Sequence, residues 1–181
     1  MLSAHHLEYS ALVYELGDVL VFSGSYKNVP IALASTGFGS GAVLFYLHEL
    51  IGLGAEEVAY VGGCASTSGR PAADGGGLRS VVLGSGGSSR LLDRAIRAAT
   101  QFGIAATIKT VLPPGCLHPE DGCIVDNVTE ALYEQAKTDC IDALSVLTVS
   151  ENIKTGEKIE EHEKRSRFYA AARLVFEMFA L

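Results

Sequence analysis

Asn28-Val29-Pro30-Ile31-Ala32-Leu33-Ala34-Ser35-Thr36-Gly37-Phe38-Gly39-Ser40-Gly41 is the stretch that decides the fold of this 181-residue chain. Val29 to Ser35 is short, apolar and opens on a β-branched residue, which predicts a buried strand. Thr36 to Gly41 breaks that strand, and Ala42 to Leu53 is a mostly apolar helix of about three turns. Gly54 supplies its C-terminal cap. Reading backward, Asn28 after Tyr26 and Lys27 marks the turn of a hairpin whose first strand is Val19 to Ser23. Reading forward, Glu56 to Val61 is the next strand. Val29 to Val61 is therefore expected as a right-handed βαβ unit with two parallel strands. A second glycine-rich loop, Gly62-Gly63-Cys64-Ala65-Ser66, is expected at the same sheet edge, where open α/β sheets bind ligands.

The remaining elements extend this pattern. Ser66 to Gly77 reads as a surface loop, and Leu78 to Gly84 as a short strand. Ser85 to Ser89 leads into a helix with Leu91, Leu92, Ala95, Ile96 and Ala99 as its buried stripe. Arg90, Arg94 and Arg97 are expected on its solvated side. Ala105 to Leu112 is a further strand, stopped by Pro113-Pro114-Gly115. Asn127 to Ala136 is helical with Asp126 or Asn127 as cap. Ala143 to Val149 is a strongly apolar strand. An amphipathic helix from about Glu160 to Leu181 buries Phe168, Ala171, Ala172, Val175, Phe176 and Phe179. The expected fold is α/β in three layers, a mixed and mostly parallel central sheet flanked by helices, with residues 1–181 as one domain.

Composition narrows the function classes. With 48% hydrophobic and 19% charged residues the chain is globular rather than disordered. A net charge of −7 opposes general nucleic-acid binding. No stretch reaches the roughly 18 apolar residues of a membrane span, and Met1 to Ser10 has no signal-peptide pattern. Cys64, Cys116, Cys123 and Cys140 form no Cys-x-x-Cys pair and no zinc spacing, which suits reduced thiols in a cytoplasmic protein. A dinucleotide fold fits less well, because Ala42 stands where the third glycine belongs and no acidic residue closes the second strand.

Tyr26 to Gly41, then His48-Glu-Leu-Ile-Gly-Leu-Gly-Ala55 and Val61-Gly-Gly-Cys64, resembles the nucleoside phosphorylase family, which acts on purine nucleosides and uridine. Leu147-Thr-Val-Ser-Glu-Asn-Ile-Lys-Thr-Gly-Glu157, followed by Glu163-Lys164 and a long helix, resembles that family's closing segment. Phosphorolysis adds phosphate to the anomeric carbon as the base departs, through an oxocarbenium-like transition state. The resemblance implies nucleoside and phosphate as ligands, phosphate serving as co-substrate, with no cofactor and no metal. It also implies a homo-oligomer, dimer or hexamer.

Carried residue by residue, the resemblance makes Gly37, Phe38, Gly39 and Ser40 the first substrate loop, where amides at a helix N-terminus suit ribose and phosphate. Gly62, Gly63 and Cys64 form the second. The family's arginine before that loop falls on Tyr60, and its phosphate-binding Ser or Thr falls on Gly63. Its early Gly-Asp-Pro segment has no counterpart before Val19. The ribose-binding Glu-Met-Glu element falls on Asp126, Asn127 and Val128, leaving Asp126 and Asn127 as candidates. Glu151 stands at the base-protonating carboxylate. Lys164 replaces its arginine partner and loses the forked geometry. His118 falls near the base-stacking aromatic, and His5 or His6 at the histidine that reaches a neighbouring subunit. The expected function is phosphate-dependent cleavage of purine nucleosides or uridine, a glycosyl transfer. The alternatives are a non-catalytic nucleoside-binding or assembly subunit and a nucleosidase that uses water.

Overall fold

A computed structural model describes residues 2–16, 19–68, 78–116 and 122–181. A short 3-10 turn, Leu2–His6, precedes strands β1 (Glu8–Leu16), β2 (Val19–Tyr26) and β3 (Val29–Ala34), then helix α1 (Ser40–Gly52) and β4 (Glu57–Ser66). The chain continues as β5 (Val81–Gly84), α2 (Ser89–Phe102), β6 (Ala106–Lys109), β7 (Val111–Leu112) and β8 (Ile124–Val125). It ends with α3 (Thr129–Thr138), β9 (Asp142–Asn152) and α4 (Glu161–Phe179). Lys27 and Asn28 take φ of 49° and 68°, the two left-handed residues that a type I′ hairpin turn needs.

The expected βαβ pairing does not form. β3 belongs to a three-stranded antiparallel sheet ordered β1-β2-β3, and β4 lies in a six-stranded sheet ordered β6-β5-β9-β4-β8-β7. α1 still joins the two strands, and both run the same way. The β2–β3 turn sits on α4, through Lys27 Nζ to Glu177 at 2.6 Å. The start of β4 reaches the same helix end, since Arg94 bonds both Glu57 and the Met178 carbonyl. At the far end, the loop after β3 approaches Asn127. The two strands are parallel but not neighbours. Apolar periodicity identifies strands and is blind to which strand lies beside which.

Gly62 to Ser66, read as a loop, is the second half of β4. It stays paired to β9 as far as Ser66 with Asn152, with one irregularity at Cys64/Ala65. The glycines serve close packing. A Cβ on Gly62 would collide with the Tyr60 ring, and one on Gly63 would lie 3.0 Å from Phe168.

The expected strand Ala105 to Leu112 is two strands, and Thr110 alone separates them. β6 and β7 sit at opposite ends of the six-stranded order. Consecutive residues can lie at both ends only if the sheet curls round toward closure. The layers otherwise follow expectation. One face of β9 sends Leu144 and Val146 against α2 and α4, with Leu91, Ala95, Ala171, Leu174 and Met178. On the other face Ala143 meets α1 and α3 through Val43, Leu47, Val128 and Leu132. Leu147 and Val149 fill the interior of the curl with Val82, Ile124 and Cys64. Each fully buried leucine contributes roughly 2 kcal/mol of transfer free energy.

The basic side of α2 also departs from expectation. Ile96 is partly exposed, whereas the Arg94 side chain is only 14% exposed and ion-paired to Glu57. The α4 C-terminus packs over that position, and its last carbonyls need donors. Arg90 remains at the surface and pairs with Asp142 at 2.5 Å. Hydrogen bonds from Ser88 and Arg90 hold the Asp142 carboxyl below its ordinary value of 3.8. A depressed folded-state pKa stabilises above 3.8 and loses that stabilisation as pH falls through the depressed value. Asp142→Asn should therefore be less stable than the parent at neutral pH. In urea melts across an acid series, the two should converge below pH 3.8.

Candidate functional site

The loop after β3 and the segment between β8 and α3 approach each other. Gly37 and Gly39 take φ of 76° and 88°, which turns the chain sharply out of β3 and into α1. Gly39 occupies the N-cap position of α1 with no side-chain cap. The first amides of the helix are therefore left to an outside acceptor. A Cβ on Gly39 would sit 4.0 Å from Asn127 Nδ2, so the loop runs alongside the Asn127 amide. Phe38, between the two glycines, is fully exposed.

Behind this contact lies a buried polar cluster. Asp126 is 5% exposed. Its Oδ2 accepts from the Val128 amide at 3.1 Å, the Thr129 amide at 2.8 Å and the Thr129 hydroxyl at 2.7 Å. These amides lie at the start of α3, but its N-cap position is Val128 rather than the expected Asp126 or Asn127, because the helix begins two residues later than the sequence reading placed it. The Ser145 hydroxyl lies 3.0 Å from Thr129 Oγ1. Tyr133 donates to the Gly84 carbonyl at 2.9 Å and accepts from the Ser145 amide at 3.0 Å.

Tyr60 belongs to the same neighbourhood. Burial pushes its hydroxyl pKa up, and the Asp126 charge adds to the shift. The Cys64 thiol is raised for the same two reasons, burial first, and is no nucleophile at neutral pH. Tyr133 is raised chiefly by burial, with a smaller contribution from Asp126. Asp126 is the charged neighbour that all three groups share, in each case behind burial as the larger cause.

The candidates divide accordingly. Gly37, Phe38, Gly39, Ser40, Asp126 and Asn127 come together, with Gly62 and Cys64 behind them on β4. Gly63 faces the other way, toward Phe168 and the Ser150 hydroxyl. Glu151 sits at the end of β9, where its carboxylate pairs with Lys158 at 3.0 Å. Lys164 falls in the first turn of α4, and its side chain lies outside the described residues, as does all of His118. His5 is exposed, while the His6 ring packs on Tyr169 of its own chain at 5.3 Å. Thr129, Tyr133 and Ser145 are members of the site that the sequence reading missed. The available signal was Ser145, a polar residue inside an apolar strand. Among the described residues no group of His, Cys, Asp or Glu is placed to hold a metal ion. No described helix is long and apolar enough to cross a membrane.

Similar proteins share this framework. The chain is 25% identical to the DeoD-type purine nucleoside phosphorylase of Psychromonas ingrahamii, over 92% of this chain and 82% of the relative. It is 27% identical to that of Alkaliphilus metalliredigens and 26% to that of Bacillus subtilis, each over 91% of this chain and 82% of the relative. No family model matches. Among solved structures, purine nucleoside phosphorylase from Toxoplasma gondii in complex with immucillin-H superposes with a TM-score of 0.83. That match covers 98% of this chain and 84% of the other at 15% identity, and so speaks for the fold. Low identity over nearly the whole chain makes this protein similar to the DeoD-type purine nucleoside phosphorylases, and its fold is that of the solved purine nucleoside phosphorylase.

Proposed function

We propose that this chain binds a purine nucleoside between the Gly37–Ser40 loop and Asn127, and that it does so without the phosphate anchor implied by its family resemblance. The observation that carries this reading is the buried carboxylate of Asp126 beside Tyr60 and Cys64. Phosphate needs a positive, donor-rich cradle. The position resembling the family's arginine is Tyr60, and Gly63 presents no hydroxyl there. The negative field at this edge works against a second anion. A neutral nucleoside needs donors and acceptors, which Asn127, the loop amides and Tyr60 offer. This reading requires no cofactor.

A second reading, phosphate-dependent cleavage of the nucleoside, is favoured by the N-terminus of α1, which has no side-chain cap and whose amides can donate to an anion. In that reading Glu151 would leave Lys158 to serve the departing base.

Calorimetric titration with inosine, adenosine and uridine, with and without phosphate, separates the two when run beside an assay for free base. The expected result is purine nucleoside binding that phosphate leaves unchanged, with no phosphate-dependent base release. Base release only with phosphate would establish the second reading. Failure of all three nucleosides to bind would remove both.

A further inference from the structure

We propose that the gap between β3 and β4 is a slot for one guest strand, an extended apolar segment with basic flanks supplied by another polypeptide. β3 pairs with β2 along one edge only. Residues 57–64 of β4 pair with β9 along one edge, and β8 covers the other edge of β4 only at Ala65 and Ser66. Among the described residues no strand pairs with the remaining edge of either. Backbone amides and carbonyls there have no ladder partner, and such an edge is a template for a further strand.

The two open edges border one gap. α1 joins β3 to β4, and both strands run the same way. Their starts are gripped by one turn of α4. Lys27, in the turn before β3, pairs with Glu177 at 2.6 Å, and Arg94 links Glu57 of β4 to the Met178 carbonyl. A helix is about 10 Å across, and so are two strand spacings. One helix turn thus bridges the width of a single further strand. The burial pattern agrees. Residues 143–149 of β9 are all buried, whereas none of residues 57–61 on the neighbouring β4 is. Parallel strands are ordinarily covered all round, so β4 is short of a neighbour.

The walls of the slot define the guest. Val58 and Tyr60 face the α1–α3 layer, and Ala59 and Val61 face the α2–α4 layer. A strand laid beside them is covered on both faces, which calls for a near-continuous run of valine and isoleucine rather than an alternating one. β3 is six residues long, and a guest run of the same length spans roughly 20 Å. The chain carries a net charge of −7, which favours lysine or arginine on either side of that run. The far end of the slot lies where Gly39 approaches Asn127. A guest parallel to β3 therefore ends beside the candidate loop.

Amide hydrogen exchange followed by NMR tests this without any nucleoside, so its outcome is separate from that of the ligand reading. The probe is a synthetic peptide of alternating valine and isoleucine, as long as β3, between two flanks of lysine. Its control carries proline at the centre of the run, which cannot join a ladder. In the protein alone, the slot-facing amides of β3 and of residues 57–61 should exchange at least about a hundredfold faster than those of residues 143–149. The peptide should slow them at least about tenfold, and the proline peptide should not. Slow exchange of these amides without peptide would mean a closed gap and would overturn the proposal. Protection confined to β1 or β6, which end their sheets, would overturn it too. So would a peptide that protects nothing, or equal protection by the proline peptide.

Discussion

Replacing Arg94 by methionine should cost this protein about 3 kcal/mol of folding stability. The guanidinium is largely enclosed and bonds four oxygens. It reaches both carboxylate oxygens of Glu57, at 3.0 and 2.8 Å, and the carbonyls of Met178 and Phe179, at 3.0 and 3.1 Å. It therefore ties α2 to the first residue of β4 and satisfies the last carbonyls of α4. Methionine keeps much of the side-chain volume and loses every donor. Glu57 would then stay half-enclosed with Arg90 beside it. The Phe179 carbonyl would lose its guanidinium donor, and the Met178 carbonyl would keep a long bond from the Leu181 amide. The control is Arg90→Met, whose guanidinium is 59% exposed. It should cost far less than Arg94→Met, because exposed pairs contribute little. Urea unfolding of the two variants with unchanged m-values measures both. Equal, small losses would mean that water replaces Arg94 without penalty and that the α2–α4 packing holds the layer by itself.

Arg94 also marks where the sequence stops being informative. Helical periodicity put it opposite the α2 stripe, which is correct for α2 alone. Periodicity carries no record of the α4 C-terminus arriving 84 residues later and closing over it. The strand pairings are a parallel case. The β2–β3 hairpin was legible because its turn is local, and two left-handed residues between apolar runs admit few alternatives. The β3–β4 pairing was a statement about neighbours, and strand pattern does not encode neighbours. Gly62 to Ser66 misled for a different reason. Glycines read as breakers when the packing that needs them, here Tyr60 and Phe168, is unseen. The candidate site could be named from sequence where it consists of contiguous residues, as in Gly37–Ser40 and Asp126–Asn127. It was illegible in the Tyr133–Gly84 and Ser145–Thr129 bonds, which join segments distant in sequence.

On the proposed reading Asp126 joins stability to binding, and two substitutions separate the roles. Asp126→Ala should cost about 3 kcal/mol, because two buried amides and a buried hydroxyl lose one acceptor together. Asp126→Asn keeps an oxygen for the two amides and should cost about 1 kcal/mol. It removes the charge, and the electrostatic consequence has a definite sign. A nearby anion raises the pKa of Tyr60 and Cys64, so its loss lowers both. Burial is the larger cause in each case and survives the substitution, so both groups stay above their ordinary values. Phosphate is the decisive probe. If the field of Asp126 keeps a second anion out, Asp126→Asn should bind inorganic phosphate at least about tenfold more tightly than the parent. Its affinity for a neutral nucleoside should change much less. Calorimetry on both ligands, with spectrophotometric titration of Tyr60 against a Tyr60→Phe background, reads the two effects separately. A fall in the Tyr60 pKa without any gain in phosphate affinity would confine the field to the buried cluster. On the proposed reading, Tyr60 in place of the family's arginine, rather than the carboxylate at 126, would then be what keeps phosphate out.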